Sequence, residues 1–270
     1  MQKSEVLVKK NCEIHYQIQG EGTPLLCISG FGCSNYNFDF IRELLAADFQ
    51  LVLVDNRGMG KSSPVVHDYQ IDDLAQDAVE IMDSLGHQKF AVMGISMGGF
   101  IAQKIALNFP ERVSSLVLAC TTSGGEDFPK LNKLDEQTIR RSFSLGAKVY
   151  NELVSKATVH PKTQREKPEL LERIIDLRAS HMPKLDQVLL QQRAVDKFLN
   201  ETMELEKISC PTLVISGDED RFVNPKSSLI FAEKIPNAKV QFIEESDHHF
   251  FLEKPRETAD AVSQYLGSQL

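Results

Sequence analysis

Tryptophan is absent from the sequence of 270 residues, and the five cysteines form no C-x-x-C pair. An odd number of widely spaced cysteines indicates reduced thiols rather than a disulfide framework. The seven histidines show no H-E-x-x-H or comparable spacing, so we expect neither a metal ion nor another cofactor. The cysteines are Cys12, Cys27, Cys33, Cys120 and Cys210.

An excess of positive charge and long apolar runs are missing as well. The net charge of −8 gives the protein a field that repels nucleic-acid phosphates and anionic membrane surfaces. No apolar run reaches the roughly 18 residues of a membrane span, and the first residues lack the apolar stretch of a signal peptide. The sequence therefore predicts a cytoplasmic protein with a small-molecule substrate, without nucleic-acid or membrane partners.

Short apolar runs alternate with segments of helical periodicity along most of the chain, which predicts an α/β fold with a mostly parallel sheet flanked by helices. The first two runs, at residues 6–8 and 14–18, fit an antiparallel hairpin at the sheet edge. Residues 124–207 contain helical segments only. We therefore expect residues 1–123 and 208–270 to form the core and residues 124–207 to form an inserted helical lid.

The segment "GISMGG" places Ser96 between glycines, after the strand-like run "FAVMG" and before a predicted helix. A glycine-rich turn without chemistry would explain the motif equally well if it stood alone. The strand, turn and helix around it are the setting that a nucleophilic serine needs, because a sharp turn exposes its hydroxyl. Ser96 is therefore the candidate nucleophile.

A nucleophilic serine requires a base and an acid that orients the base. The loop after the apolar run "TLVIS" supplies three acidic candidates, and the segment after the last apolar run supplies two adjacent histidines. From the residues alone these alternatives stay open. The candidates are Asp218, Glu219 and Asp220 for the acid and His248 and His249 for the base.

The "GMGKSS" segment ends like a phosphate-binding loop, but that motif requires glycine at position 55, where Asp55 stands. We interpret Asp55, Arg57 and the glycines after them as a structural turn. In this turn Arg57 donates hydrogen bonds to backbone carbonyls or to an acidic side chain. "GFG" lacks the third glycine of a dinucleotide loop. The sequence therefore predicts neither a phosphate-binding loop at "GMGKSS" nor a dinucleotide cofactor bound at "GFG".

Five motifs in order make the chain resemble the α/β-hydrolase superfamily throughout the predicted core. They are "ISGFG", "DNRGMGKS", the turn at Ser96, "GDED" and "DHHFFLEKP". The resemblance implies a catalytic triad of Ser96, Asp220 and His248, with His249 as the second choice for the base. It also implies that the backbone N–H groups of Phe31 and Met97 stabilise an oxyanion.

Two positions depart from the family pattern. Ser29 replaces a common histidine before the oxyanion loop, and this change should leave backbone donors intact. Asp247 replaces a common glycine before His248, and we expect its carboxylate to face solvent. If Asp247 instead approached the imidazole, it would favour the protonated form and move the pH profile upward.

The resemblance is nearest to small lid-bearing enol-lactonases and carboxylesterases, which implies cleavage of a small ester or lactone through an acyl-serine. A C–C bond hydrolase, a thioesterase, an aminopeptidase or a slow hydrolase-fold receptor stays open as an alternative. Apolar side chains expected to line the pocket are Phe143, Phe222 and Phe250, beside Phe31 and Met97. Basic side chains that could hold a substrate carboxylate are Arg140, Arg141, His160, Lys162, Arg165, Arg173, Arg178, His181 and Lys184.

Overall fold

An eight-stranded sheet organises the protein in a computed structural model that describes residues 2–131 and 135–269. The strand order is β1-β2-β4-β3-β5-β6-β7-β8, with β1 and β2 antiparallel to their neighbours and all other pairs parallel. The predicted hairpin and mostly parallel sheet are thereby confirmed. The strands are β1 (Lys3–Val8), β2 (Glu13–Gln19), β3 (Thr23–Ile28), β4 (Phe49–Val54), β5 (Phe90–Ile95), β6 (Val113–Ala119), β7 (Thr212–Gly217) and β8 (Ala238–Ile243).

Helices cover both faces of the sheet and fill the segment between β6 and β7. Short 3₁₀ turns at Asn35–Phe38, Pro110–Arg112 and Leu205–Lys207 join some of them. The helices are α1 (Arg42–Leu45), α2 (Ile71–Ser84), α3 (Met97–Asn108), α4 (Glu136–Phe143), α5 (Ala147–Thr158), α6 (Pro161–Glu166), α7 (Pro168–Ser180), α8 (Leu185–Leu199), α9 (Lys226–Lys234), α10 (Phe250–Glu253) and α11 (Pro255–Gly267).

Two apolar layers hold the sheet between the helices. Successive residues of a strand point to opposite faces, so Leu26 and Ile28 pack with α2 and α3, while Leu25 and Cys27 pack with α11. All four of these side chains are fully buried. A sheet covered on both faces explains why its strands read as continuous apolar runs rather than alternating ones.

Helix α2 illustrates how local sequence sets an element. Its apolar stripe faces the core, and a capping box closes its start, with the Asp73 carboxylate accepting from the Gln70 N–H at 2.8 Å. Gly86 follows the helix with a φ of 77°, a backbone conformation that favours glycine. By contrast, the sequence "IRELLAA" predicts a helix over residues 41–47, but α1 spans only four of these residues.

The described part of residues 124–207 holds α4 to α8 and no strand. The division into a core and an inserted lid stays a prediction. Residues 132–134 of that segment, and Met1 and Leu270 at the ends of the predicted core, lie outside the described residues. Within residues 2–131 and 135–269, no helix combines the length and the apolar character needed to cross a membrane.

Candidate active site

Ser96 occupies the sharp turn between β5 and α3. Its φ of 54° and ψ of −117° are strained for a residue with a side chain. Three hydrogen bonds fix this backbone: the Ser96 N–H donates to the Ala119 carbonyl, and the Ser96 carbonyl accepts from the Gly99 N–H and the Thr121 hydroxyl. The turn therefore presents the Ser96 side chain at the carboxyl edge of the sheet.

Glycines permit the close packing that this turn requires. A Cβ atom on Gly94 would collide with the Gly98 carbonyl, and one on Gly98 would collide with the Ile28 carbonyl. Helix α3 can consequently start directly against strands β3 and β5. The local sequence thus explains both the position of Ser96 and the tight turn that carries it.

His248 joins Ser96 to Asp220 through hydrogen bonds at both nitrogens of its ring. Its Nε2 lies 3.2 Å from Ser96 Oγ, and its Nδ1 lies 2.9 Å from Asp220 Oδ2. The other oxygen of Asp220 accepts the backbone N–H groups of Phe222 and Val223. In this arrangement an Asp220 oxygen can accept a hydrogen bond from an Nδ1–H group, and the Nε2 lone pair can accept one from the Ser96 hydroxyl.

Among the described residues, neither the Phe31 N–H nor the Met97 N–H donates in any of the backbone hydrogen bonds found outside the helices and strands. The N–H groups on either side of Phe31 are both satisfied, since Gly30 donates to Asn37 Oδ1 and Gly32 donates to Gln191 Oε1. The Phe31 donor is thus held in place while remaining free. Such free N–H groups can stabilise a developing negative charge by donating hydrogen bonds to it.

A cavity of about 310 Å³ opens beside Ser96 and His248. Its wall contains the oxyanion-loop residue Phe31 together with Tyr150 and Leu153 from α5. A smaller apolar cavity of about 60 Å³ also touches Ser96 and includes Met97. Residues of α5 and of the loops at the sheet edge thus line a cavity of a size suited to a small molecule.

A family model described as the α/β hydrolase fold matches residues 23–255. The chain belongs to the α/β-hydrolase family. A poly(3-hydroxyalkanoate) depolymerase from Ectopseudomonas oleovorans is 30% identical over 250 residues, covering 90% of this chain and 84% of the depolymerase.

Two solved structures share the fold of this α/β hydrolase. The thermophilic esterase from Thermogutta terrifontis superimposes with a TM-score of 0.84 at 22% identity, over 99% of both chains. The enol-lactonase from Burkholderia xenovorans LB400 also gives a TM-score of 0.84, at 20% identity, over 97% of this chain and all of the other. At these identities the likeness shows the fold alone.

The predicted pocket phenylalanines lie in three different settings in this α/β hydrolase. Phe222 lines the main cavity and packs against the His248 ring, with ring centroids 4.9 Å apart. Phe143 borders a small neighbouring cavity and packs against Tyr150. Phe250 is fully buried in the core, and the next residue, Phe251, lines the main cavity instead.

The structure separates the two adjacent histidines of the α/β hydrolase. Only His248 contacts Ser96, whereas His249 Nδ1 lies 2.9 Å from the Thr158 hydroxyl. That hydroxyl donates to the Val154 carbonyl, so it accepts a hydrogen bond from the His249 Nδ1–H group and leaves the His249 Nε2 lone pair free. Burial, followed by the positive charge of Arg178, lowers the pKa of His249 well below its usual range.

Among the acidic candidates, Asp218 and Glu219 are exposed and only Asp220 is buried against the histidine. The expectation that Asp247 faces solvent is wrong, because this residue is fully buried. Its carboxylate accepts the backbone N–H groups of Arg221 and His248 and forms an ion pair with the Arg221 side chain. A neighbouring cation thus compensates the buried charge, a contact that no local sequence pattern indicated.

Most basic side chains of residues 124–207 point away from the site. Arg140 pairs with Glu136 and Lys162 pairs with Glu245 on the surface. Of the nine basic residues considered from the sequence, Arg178 alone lines the main cavity. Its side chain is also the one among the arginines that is buried, with 8% exposure.

Several residues that shape the site carry no sequence signal of their own. Asn37 and Gln191 accept hydrogen bonds from the backbone N–H groups on either side of Phe31, and in the sequence both look like ordinary polar residues. Cys33 and Tyr150 line the cavity but resemble core residues in sequence. Within residues 2–131 and 135–269, no group of three or more histidine, cysteine, aspartate or glutamate side chains is arranged to hold a metal ion.

Proposed function

We propose that the protein is a serine hydrolase that cleaves a small carboxylic ester or lactone through an acyl-serine intermediate. One observation carries this proposal: His248 bridges Ser96 and Asp220 at the wall of a cavity of about 310 Å³. The names of the structural relatives, an esterase and an enol-lactonase, fit that substrate class.

Acylation starts when the Ser96 hydroxyl attacks the substrate carbonyl and His248 Nε2 accepts its proton. The negative charge of Asp220 stabilises the imidazolium that forms. The carbonyl oxygen becomes an oxyanion, which the free N–H groups of Phe31 and Met97 stabilise. His248 then donates its proton to the departing alkoxide, leaving the acyl group on Ser96.

Deacylation repeats these steps with water as the nucleophile. His248 accepts a proton from water as the water oxygen attacks the acyl carbon, and the oxyanion occupies the same two donors. Collapse of this intermediate releases the carboxylic acid and returns the proton to Ser96. An ester yields an acid and an alcohol, whereas a lactone yields a hydroxy acid that still contains both groups.

A fluorophosphonate probe tests the proposal directly, with intact mass and peptide mapping of the wild type and the Ser96→Ala variant. We expect one adduct, on the Ser96 peptide, and none on the variant. An adduct on another residue, or none at all, would contradict the assignment of Ser96. Multiple turnover of 4-nitrophenyl esters then separates an enzyme from a receptor, which would label but turn over negligibly.

A further inference from the structure

Arg178 is a buried cation without a buried anion. It lies near the end of α7, its side chain lines the cavity beside Ser96, and it is 8% exposed. No carboxylate of the described chain lies within ion-pair distance of its guanidinium. Burying an unpaired charge is strongly unfavourable, because the ion loses its hydration and gains no compensating partner. We therefore expect an anion from outside the chain to pair with this guanidinium.

The contacts of Arg178 leave most of its donors free. Its Nη1 donates to His249 Nε2 at 3.3 Å and lies 3.9 Å from Cys33 Sγ. The Nε atom is buried and has no hydrogen-bond partner among the described residues. A guanidinium carries five donors in a planar fork whose geometry matches a carboxylate. The guanidinium therefore keeps unused donors at the cavity wall with which an anion such as a carboxylate can form hydrogen bonds.

Neighbouring groups hold the guanidinium without neutralising it. His249 accepts from Arg178 through the lone pair that its bond to Thr158 leaves free. Burial raises the pKa of the nearby Tyr36 and Tyr150 hydroxyls, so both stay uncharged. The positive charge thus remains available at the cavity wall, in a fixed orientation.

We propose that Arg178 forms a carboxylate-binding subsite, and that the substrate is a short ester or lactone bearing a second, ionised carboxylate. This inference rests on the proposed hydrolysis at Ser96 and specifies its substrate class. His249 is a positioning residue for Arg178, and the smaller apolar cavity beside Met97 takes an uncharged part of the substrate. Hydrolysis then releases a product with two carboxylates when the charged group lies on the acyl side.

A matched pair of substrates isolates the charge. Mono-4-nitrophenyl glutarate carries the free carboxylate, and its terminal amide analogue has nearly the same shape without the charge. We expect the wild type to show a kcat/KM for the acid about tenfold or more above that for the amide, measured without chloride or phosphate in the buffer. The Arg178→Gln variant should lose this preference, mainly through a higher KM for the acid.

Arg141→Gln is the control, since it removes the same charge from an exposed position on α4. This variant should keep the preference of the wild type. Arg178→Lys should keep part of it, because lysine retains the charge but loses the fork. Equal cleavage of the two esters by the wild type, or a preference that persists in Arg178→Gln, would overturn the subsite while leaving hydrolysis at Ser96 intact.

Binding of glutarate to the Ser96→Ala variant provides a readout that needs no turnover. Isothermal titration should give a dissociation constant that rises about tenfold or more when Arg178→Gln is added. If Arg178→Gln does not fold, the double variant with Arg178→Lys replaces it and should bind glutarate more weakly. If no ester is hydrolysed, the proposed function fails, and this titration alone decides: Arg178-dependent binding supports the subsite, and absence of binding overturns it.

Discussion

Two hydrogen-bonded series of serine, histidine and aspartate side chains occur among the described residues, at different places along the sheet. At the candidate site, His248 lies between Ser96 and Asp220, at 3.2 and 2.9 Å. Near the antiparallel edge, His15 lies between the Ser4 hydroxyl at 2.6 Å and the Asp55 carboxylate at 2.8 Å. The two chains use the same side-chain atoms, with Nε2 towards serine and Nδ1 towards aspartate.

The surroundings of the two serines differ in every other respect. Ser96 has a φ of 54° at a strand-to-helix turn, beside two free N–H donors and a cavity. Ser4 is an exposed residue of edge strand β1, in register with Gln17. Acyl transfer requires more than a serine, a histidine and an aspartate in hydrogen-bond contact, because the oxyanion must also be stabilised and the substrate held.

The Asp55 chain instead ties loops to the sheet edge. Besides His15, the Asp55 carboxylate accepts the backbone N–H groups of Asn35 and Lys61. The nearby Arg57 pairs with the buried Asp77, as the interpretation of this segment as a structural turn required. These bonds connect β2, the 3₁₀ turn after β3 and the loop after β4.

The largest effect should come from removing each serine in turn. Ser96→Ala should lower kcat by about 10⁴-fold or more, because the nucleophile is lost while the fold remains. Ser4→Ala should leave kcat/KM within about twofold, since substitutions outside the chemistry act only through the fold. Steady-state kinetics with one 4-nitrophenyl ester measures both. Comparable losses in the two variants would remove the distinction drawn between the chains.

Substitution of the two aspartates should affect different quantities, namely kcat for Asp220 and the free energy of unfolding for Asp55. Asp220→Asn should reduce kcat by about 10³-fold or more, because an amide no longer holds the productive tautomer of His248. Asp55→Asn should lower the free energy of unfolding by about 1–3 kcal/mol by weakening hydrogen bonds to a buried carboxylate, with little change in kcat. Kinetics and urea unfolding report the two quantities.

Asp218→Asn serves as the control for both aspartates, because Asp218 is exposed. It should behave as the wild type in both assays. A larger loss of kcat in Asp218→Asn than in Asp220→Asn would mean that the wrong acid was chosen.

A smaller effect, on the pH dependence of the free energy of unfolding, should follow from substituting His249, which is adjacent to His248. Its folded-state pKa lies well below the usual range because it is buried and faces Arg178 and His248. The unfolded chain therefore binds a proton at this residue as the pH falls below about 6.5, and the folded chain does not. Above that pH, His249 is neutral in both states and does not lower the free energy of unfolding. Below it, protonation of the unfolded chain makes the free energy of unfolding decline.

Unfolding free energies at pH 7 and pH 5 in the wild type and in His249→Gln measure this contribution. The decline should be steeper in the wild type by up to about 1.4 kcal/mol per pH unit, the limit for one proton. The raised pKa of buried Glu253 is common to both proteins and cancels in the difference. Equal declines of the unfolding free energy in the two proteins would show that His249 binds the same number of protons in the folded and the unfolded chain.

The architecture was largely accessible from sequence because its signals are local. Buried parallel strands are apolar runs, and the strand, turn and helix around Ser96 occupy fewer than twenty consecutive residues. The α1 helix was less accessible, since its seven-residue run predicted more than the four helical residues observed. The sequence offered no means of deciding between Phe250 and Phe251 as a cavity residue, because both are apolar neighbours.

The sequence by itself determined the order of the strands along the chain, the turn that carries Ser96 and the small set of acids and histidines from which its partners come. Only the tertiary structure decided which of them meet, that Asp247 is buried against Arg221, and that Arg178 enters the cavity without an anion. It also brought Ser4, His15 and Asp55 together. Local patterns depend on neighbouring residues, whereas these contacts join residues far apart in sequence and form only when the sheet and the inserted helices pack together.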